Sequence, residues 1–506
     1  MCIRDRDVKA AYGKLYIMLR LVTEEGIQLD LYQWNFAQNE LSLLLTQKDL
    51  NDYPTNIWVT EEGIYISALS EQTQENDRTA KLYQYVFATG ELEKRMEFND
   101  FNYQWVQVTD QVFLMGAWDE DMHMTCLLYT SDIRRVIQAL RRLTGRAAML
   151  PRWAFGYMQS KEAYQTDKEL LEVAEEYRRR DLPISCVIQD WNSWEKGKWG
   201  NKRLDPARFA HMKEVHEKLH AMDVHTLISV WPNMAKDCED YEQMKTAGHI
   251  LPDRSTYDAF SEEARALYWK QAKEGLWDQD FDGWWCDSTE PFTGQDWNGT
   301  TLREPWERYS RVGGEQKRYL GAERASLFAL AHAKGIYENQ RKTTEDKRVI
   351  NLTRSGYASS QRYGVILWSG DIVASWETLR RQIAEGLNMA MSGYPYWTTD
   401  IGAFFVVGDE GWRHRGCGGH TNPKPIWFWK GDFDQGTEDP AYRELYVRWL
   451  QWGTFLPVMR SHGTDFPREI WRFGEEGTPY YDSIAKFIRL RHRLLPYICL
   501  LYTSQA

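Results

Sequence analysis

The chain has 506 residues, a formal net charge of -11, 43% hydrophobic residues and 27% charged residues. That length exceeds a single hydrophobic core, so two or more domains are expected. The acidic balance argues against a nucleic-acid backbone as partner, and no apolar run approaches the roughly 18 residues of a membrane span.

The opening text, Met1-Cys2-Ile3-Arg4-Asp5-Arg6, lacks the apolar core of a secretory leader, so a cytoplasmic location is expected. Seven cysteines without Cys-x-x-Cys spacing indicate neither a disulfide framework nor a thiolate zinc site. Asn-x-Thr triplets at Asn298 and Asn351 are short enough to arise by chance. The 24 tryptophans suit sugar faces, but they also fill large cores, and core packing is the larger expected share.

The first 125 residues repeat. Leu31-Tyr32-Gln33-Trp34-Asn35-Phe36-Ala37 returns 51 positions later as Leu82-Tyr83-Gln84-Tyr85-Val86-Phe87-Ala88. Asn56-Ile57-Trp58-Val59-Thr60 leads into Ile64-Tyr65-Ile66, as Tyr103-Gln104-Trp105-Val106-Gln107 leads into Val112-Phe113-Leu114. Alternating apolar and polar residues mark half-buried strands. A period near 50 residues with several short strands per unit predicts an all-β, propeller-like segment of about two blades, fewer than a closed propeller needs.

Cys126-Leu127-Leu128-Tyr129-Thr130-Ser131 recurs letter for letter as Cys499-Leu500-Leu501-Tyr502-Thr503-Ser504. The two hexapeptides and the first six residues resemble translated sequencing-adapter text. They suggest two unrelated gene fragments joined over 126–139. The organisation expected is therefore a β-rich fragment over 1–125, a junction over 126–139, a catalytic barrel over 140–498 and a tail over 499–506.

From Asp132 strands and helices alternate. Strand patterns fall at 155–160, 184–191, 225–232, 283–287, 348–355, 364–372, 394–402 and 455–462. Helical patterns lie between them: Leu170, Leu171, Ala174 and Tyr177 line one face over 167–180, and Phe209, Met212, Val215 and Leu219 line one over 206–222. Pro206 is suited to a first helical turn. The last helical pattern covers 480–494. Eight such units predict an α/β fold, a (β/α)8 TIM barrel whose active site lies at the C-terminal strand ends.

Those ends carry Gln159, Asp190 with Trp191, Trp231, Asp287, Arg354, Asp371, Asp400, and Arg460 with His462. Any one could cap a helix or sit in an ion pair. A purely structural barrel has no need of four carboxylates, two arginines and a histidine at one mouth. The chemistry suggested is glycoside hydrolysis, which needs one carboxylate as nucleophile and another, kept protonated, as general acid. An arginine beside the nucleophile would hold it ionised, and a poorly solvated site would raise the acid.

The surrounding text makes the resemblance specific. Gly156-Tyr157-Met158-Gln159-Ser160-Lys161-Glu162, Trp285-Cys286-Asp287-Ser288-Thr289-Glu290-Pro291, Thr353-Arg354-Ser355, Trp368-Ser369-Gly370-Asp371, Asp400-Ile401-Gly402 and Arg460-Ser461-His462-Gly463 resemble the barrel of glycoside hydrolase family thirty-one. That family comprises the retaining α-glucosidases and α-xylosidases. The resemblance implies Asp287 as nucleophile and Asp371 as general acid/base. It implies Asp190, Arg354, Asp400, Arg460 and His462 on sugar hydroxyls, with Trp231 and Trp285 lining the pocket. Glu290 would support the nucleophile loop. The implied substrate is an oligosaccharide or glycoside with a terminal α-linked glucose or xylose, and no cofactor or metal is implied. Family members also carry a β-sandwich before the barrel and β-domains after it, neither of which is visible in this sequence.

One rival signal stands apart. His216-Glu217-Lys218-Leu219-His220 fits the H-E-x-x-H pattern of a zinc metalloprotease, in which two histidines on one helix face chelate the metal and the glutamate acts as base. It falls on an outer helix with no evident third ligand, so a solvated helix face is the plainer reading. A glycan-binding barrel without turnover is the other alternative. Loops over 292–316 and 404–439 would wall the pocket, where Phe404, Trp412, Trp427 and Trp429 could stack on a leaving-group sugar or pack the loop.

Overall fold

The computed structural model describes residues 2–23, 26–50, 52–70, 80–98, 102–108, 113–118, 124–129, 133–252, 255–290, 320, 322–408 and 431–503. The expected loop over 292–316, the sequon at Asn298, and Trp412, Trp427 and Trp429 lie outside the described residues. The chain divides into two compact units, Met1–Leu143 and Thr144–Ala506.

Period-two alternation builds the first unit. Strands β1 (Cys2–Ala11), β2 (Lys14–Thr23), β3 (Gly26–Asn35) and β4 (Glu40–Leu50) form one antiparallel sheet in sequence order. Strands β5 (Asp52–Val59), β6 (Gly63–Ser70), β7 (Ala80–Val86) and β8 (Leu92–Phe98) form a second. Strands β9 (Asn102–Val108), β10 (Phe113–Trp118) and β11 (Met124–Tyr129) form a third of three strands. The 51-residue repeat therefore places its two copies on β3 and β7, the third strand of each sheet. First strands neighbour one another, β1 against β5 and β5 against β9. Tyr16, Met18, Leu29, Leu31, Ile57, Ile64 and Ile66 supply the buried face, every second residue along each strand. The expectation of about two blades is short by one three-stranded sheet. The β1–β2 hairpin turns through Tyr12 and Gly13, at φ +52° and +71°. Two left-handed residues match the twist of the flanking strands.

The second unit opens at the last residue of helix α1 (Ile133–Thr144). Its eight parallel strands are β12 (Tyr157–Lys161), β13 (Cys186–Gln189), β14 (His225–Val230), β15 (Gly283–Cys286), β16 (Asn351–Thr353), β17 (Val365–Trp368), β18 (Trp397–Thr398) and β19 (Met459–Ser461). The sheet runs in order from β12 to β18, and β19 pairs with β12 on its other edge. The Val458 N–H donates to Trp397 O and the Ile401 N–H to Arg460 O, each at 3.3 Å, and these bonds close the ring. All eight predicted strands are present, each shorter than its apolar run.

Helices α2 (Asp167–Arg179), α3 (Met212–Ala221), α4 (Glu239–Thr246), α5 (Glu262–Gly275), α6 (Phe328–Thr343), α7 (Trp376–Met391), α8 (Pro440–Gly453) and α9 (Pro479–Thr503) connect or follow the strands, with α4 and α5 both between β14 and β15 and only a short 3-10 turn, Ser360–Tyr363, between β16 and β17. Several starts are written locally. Thr166, Ser261 and Ser375 each accept a bond from the backbone N–H three residues on, and Asp439 caps α8 with Pro440 in its first turn. Pro206 is a correction. It lies in a turn held by Asp205, whose carbonyl accepts from Arg208 and Phe209, and α3 begins six residues later at Met212. The last helix runs to Thr503, beyond the predicted 480–494.

Alternation also sorts the barrel's side chains. Tyr157, Val187, Ile228 and Trp284 face the helices in the large core, while Met158, Cys186, Ile188, Leu227 and Trp285 pack in a second cluster with Leu352, Ile366 and Trp368. The paired tryptophans of β15 thus split. Trp284 turns outward, stacks on Trp277, meets Trp269 edge-on and donates to Gln340 Oε1 at 2.9 Å. Trp285 turns inward.

Candidate active site

Three neighbouring strands supply the centre. Asp287 follows β15, Arg354 follows β16 and Asp371 lies three residues beyond β17. Arg354 Nη1 sits 3.5 Å from Asp287 Oδ1 and 3.6 Å from Asp371 Oδ2, so one cation holds both carboxylates. Its Nε donates to Glu290 Oε1 at 2.5 Å. The Asp287 loop is fixed by its backbone. The Asp287 N–H donates to Val230 O at 3.1 Å on the adjacent strand. Ser288 adopts φ +55°, and its N–H donates to Asp287 Oδ1 at 2.6 Å.

The charges are set by burial against these partners. Burial raises Asp371 to about 7, with Arg354 opposing the rise and Asp287 adding to it. Asp287 is also raised by burial, but Arg354 and the Ser288 N–H pull it back toward the ionised form. The pair is therefore split into a carboxyl poised to hold its proton near neutrality and a carboxylate with the closer donors, as acid/base chemistry requires.

The far side of the ring provides polar walls. Arg460 and Asp400 form a fully buried ion pair, and burial lifts Asp400 to about 6 against the pull of Arg460. The Arg460 guanidinium lies 4.7 Å from the Trp285 ring centre and 5.8 Å from Trp368. His462 bonds Ser160 Oγ through Nδ1 at 2.8 Å and places Nε2 3.5 Å from Asp190 Oδ2. Burial, with Arg460 and Arg468 beside it, keeps His462 neutral. Burial raises Asp190 well above the carboxylate range, helped by Asp287 and Glu162.

Several of these atoms are buried with no hydrogen-bond partner among the described residues: Asp190 Oδ1, Asp400 Oδ2, Trp285 Nε1, and Arg460 Nε and Nη1. Each orphan costs about 1–3 kcal/mol unless something bonds it. Acceptors and donors clustered at one end of a barrel suit a ligand rich in hydroxyls, which can give and accept bonds at every position.

Of the residues expected from sequence, Asp287, Asp371, Arg354, Asp190, Asp400, Arg460, His462 and Trp285 are linked by these contacts. Trp231 is placed differently. It packs edge-on to Trp191 and Trp199, with ring centres 5.1 and 4.9 Å away, and donates to Ser229 Oγ. Phe404 stacks on His462 at 5.4 Å, which is loop packing against a site residue.

Three contributors were missed. Trp368 meets Trp285 at 5.2 Å and Arg460, and its place before Ser369-Gly370-Asp371 was the available signal. Glu162 is buried and adds negative potential at Asp190, Asp287 and Asp371. Arg468 is buried and donates to the carbonyls of Ala403, Phe404, Thr464 and Phe466, binding the segments after Asp400 and His462 together. No sequence signal marked it.

The H-E-x-x-H pair does not chelate. Both ring nitrogens of His216 are engaged, Nδ1 with Gln279 O and Nε2 with Thr226 Oγ. The helix lies beside the N-terminal ends of the strands, opposite Asp287.

Residues 147–501 match the glycosyl hydrolases family 31 TIM-barrel domain. The chain is 39% identical to an alpha-xylosidase of Saccharolobus solfataricus over 372 residues, 74% of this chain and 45% of that protein. It is 29% identical to alpha-xylosidase A of Aspergillus niger over 408 residues, 72% of this chain and 51% of that protein. The chain spans about half the length of the curated relatives it matches. Among solved structures it resembles a GH31 alpha-xylosidase from a soil metagenome, complexed with xylose, at TM-score 0.62 and 24% identity, over 100% of this chain and 79% of that one. A xylosidase from Aspergillus niger gives TM-score 0.63 at 20% identity, over 99% and 75%. At these identities the structural likeness speaks to fold, and the family match with the 39% relative settles descent: the chain belongs to glycosyl hydrolase family 31.

Proposed function

We propose that this chain is a retaining α-glycosidase that releases terminal α-linked xylose or glucose from a glycoside. The observation that carries the proposal is one arginine nitrogen within 3.6 Å of both Asp287 and Asp371. Sharing that nitrogen caps the separation of the two carboxylates at the sum of the two distances. That range includes the roughly 5–5.5 Å spacing of retaining enzymes.

In the first step Asp287 attacks the anomeric carbon while Asp371 gives its proton to the leaving oxygen. The C–O bond breaks, a β-linked glycosyl ester forms on Asp287, and the aglycone leaves as an alcohol. In the second step the Asp371 carboxylate takes a proton from water, the water oxygen bonds the anomeric carbon, and Asp287 departs. Net inversion twice over returns the α-anomer. Arg354 stabilises each carboxylate in its charged turn. Asp400, Arg460, Asp190 and Trp285 supply the orphan polar atoms that would bond sugar hydroxyls. The names of the two relatives described above favour xylose.

The test is hydrolysis of p-nitrophenyl α-xyloside and α-glucoside by the purified chain, beside Asp287→Ala. Turnover lost with that substitution supports the proposal. Sugar binding without turnover would favour a glycan-binding barrel instead.

A further inference from the structure

Three ligand-bearing side chains converge at the end of the barrel opposite Asp287. His220 lies in the last turn of helix α3, His225 opens strand β14, and Asp282 immediately precedes β15. His220 Nε2 lies 2.8 Å from Asp282 Oδ2, His225 Nδ1 lies 3.3 Å from the same oxygen, and one ligand atom from each residue falls within 4.8 Å of the others. Ligands bound at zinc distances in a tetrahedron are about 3.3 Å apart, close to the two distances to Asp282 Oδ2.

The surroundings support a cation. His225 Nδ1 is buried 3.3 Å from Asp282 Oδ2, within ion-pair distance but without the alignment of a hydrogen bond. The other nitrogen of His225 faces the exposed Asp223, whose Oδ1 is 3.9 Å away, beyond hydrogen-bond reach. Trp153 stacks on the His225 ring at 4.6 Å and fixes its plane. The Thr226 N–H donates to Asp282 Oδ2 at 3.1 Å and steadies the carboxylate. His220 is 33% exposed, which leaves solvent access for a water as fourth ligand. One group competes. Lys347 Nζ lies 3.3 Å from Asp282 Oδ1, but its side chain is 42% exposed and can swing into solvent.

We propose that His220, His225 and Asp282 bind one divalent transition metal of the zinc class, clamping α3 to β14 and β15 at the N-terminal end of the barrel. Two imidazoles and one carboxylate suit zinc over magnesium or calcium, which take mainly oxygen ligands. The role is structural. Asp282 and Asp287 are separated by the length of β15, which puts the metal roughly 16 Å from the catalytic carboxylates.

The experiment strips the full chain with a chelator and titrates it with Zn2+ by calorimetry, with Co2+ as a spectroscopic probe. The expected result is one equivalent bound, a tetrahedral cobalt absorption band, and a melting temperature that rises with zinc. His225→Gln should weaken zinc at least about 100-fold. Lys347→Met should tighten it by about 3–10-fold, because a competing cation is gone. A purely structural ion-pair cluster predicts no such gain. Should His225→Gln fail to fold, the wild-type titration and Lys347→Met carry the test. No bound equivalent, or zinc binding unaltered by both substitutions, overturns the proposal.

Discussion

Replacing Arg354 by glutamine removes the cation shared by Asp287 and Asp371. Its Nη1 lies 3.5 Å from Asp287 and 3.6 Å from Asp371. At an effective dielectric of about 20, each such pair carries roughly 5 kcal/mol of direct attraction, much of it offset by desolvation. Arginine beside a buried aspartate typically lowers its pKa by about 1–3 units, so both carboxyls should climb by that much in the variant. The sign is the same for each: less of Asp287 is ionised at a given pH, and Asp371 holds its proton to higher pH. Both limbs of the kcat/KM profile should therefore slide upward together. At a pH on the acid limb the loss is about 10- to 1000-fold, one decade per unit. The assay is the pH dependence of p-nitrophenyl α-xyloside hydrolysis from pH 4 to 9 for wild type, Arg354→Gln and Arg354→Lys, with lysine restoring part of the shift. A lower rate with both limbs unmoved would refute the reasoning and leave Arg354 as a substrate-binding group only.

Three other predictions follow from the same geometry. Wild-type kcat/KM should fall as pH rises through about 7, where Asp371 loses its proton, and a basic limb well above that would contradict the assignment. Because its folded pKa is raised, Asp371 contributes stability that is present below its unfolded value near 4 and lost as pH rises through about 7. Asp371→Asn should therefore stabilise the fold at pH 8 by roughly 1–2 kcal/mol in urea, with no gain near pH 4, after discounting for partial exposure. Arg460→Met strands buried Asp400 and should cost about 3–5 kcal/mol, read as a lower urea midpoint. Unchanged stability would mean that Asp400 simply takes up a proton.

Much of this was legible because a barrel converts sequence position into place. A residue just past an apolar run lies at the mouth, so Asp287, Arg354 and Asp371 could be grouped without knowing a distance. Which face a residue takes was less legible. Trp284 and Trp285 are chemically identical neighbours, and only pairing with β14 and β16 sends one to the helices and the other to Arg460. Arg468 was invisible because its partners are backbone carbonyls brought together by the closed ring, which no side-chain pattern records. Pro206 misled because local turn bonds from Asp205 outweighed its helix-starting geometry. The repeated hexapeptide makes the same point. Cys126 to Tyr129 lie in strand β11, whereas Cys499 to Thr503 end helix α9, so neighbours rather than letters decide the conformation.

The central claim is that Asp287 and Asp371 act by double displacement at one sugar. The most direct measurement is proton NMR of the first sugar released from an α-xyloside, recorded before mutarotation. The account predicts the α-anomer first, with the signal abolished in Asp287→Ala. Initial release of the β-anomer would mean direct attack by water, and Asp287 would not be the nucleophile.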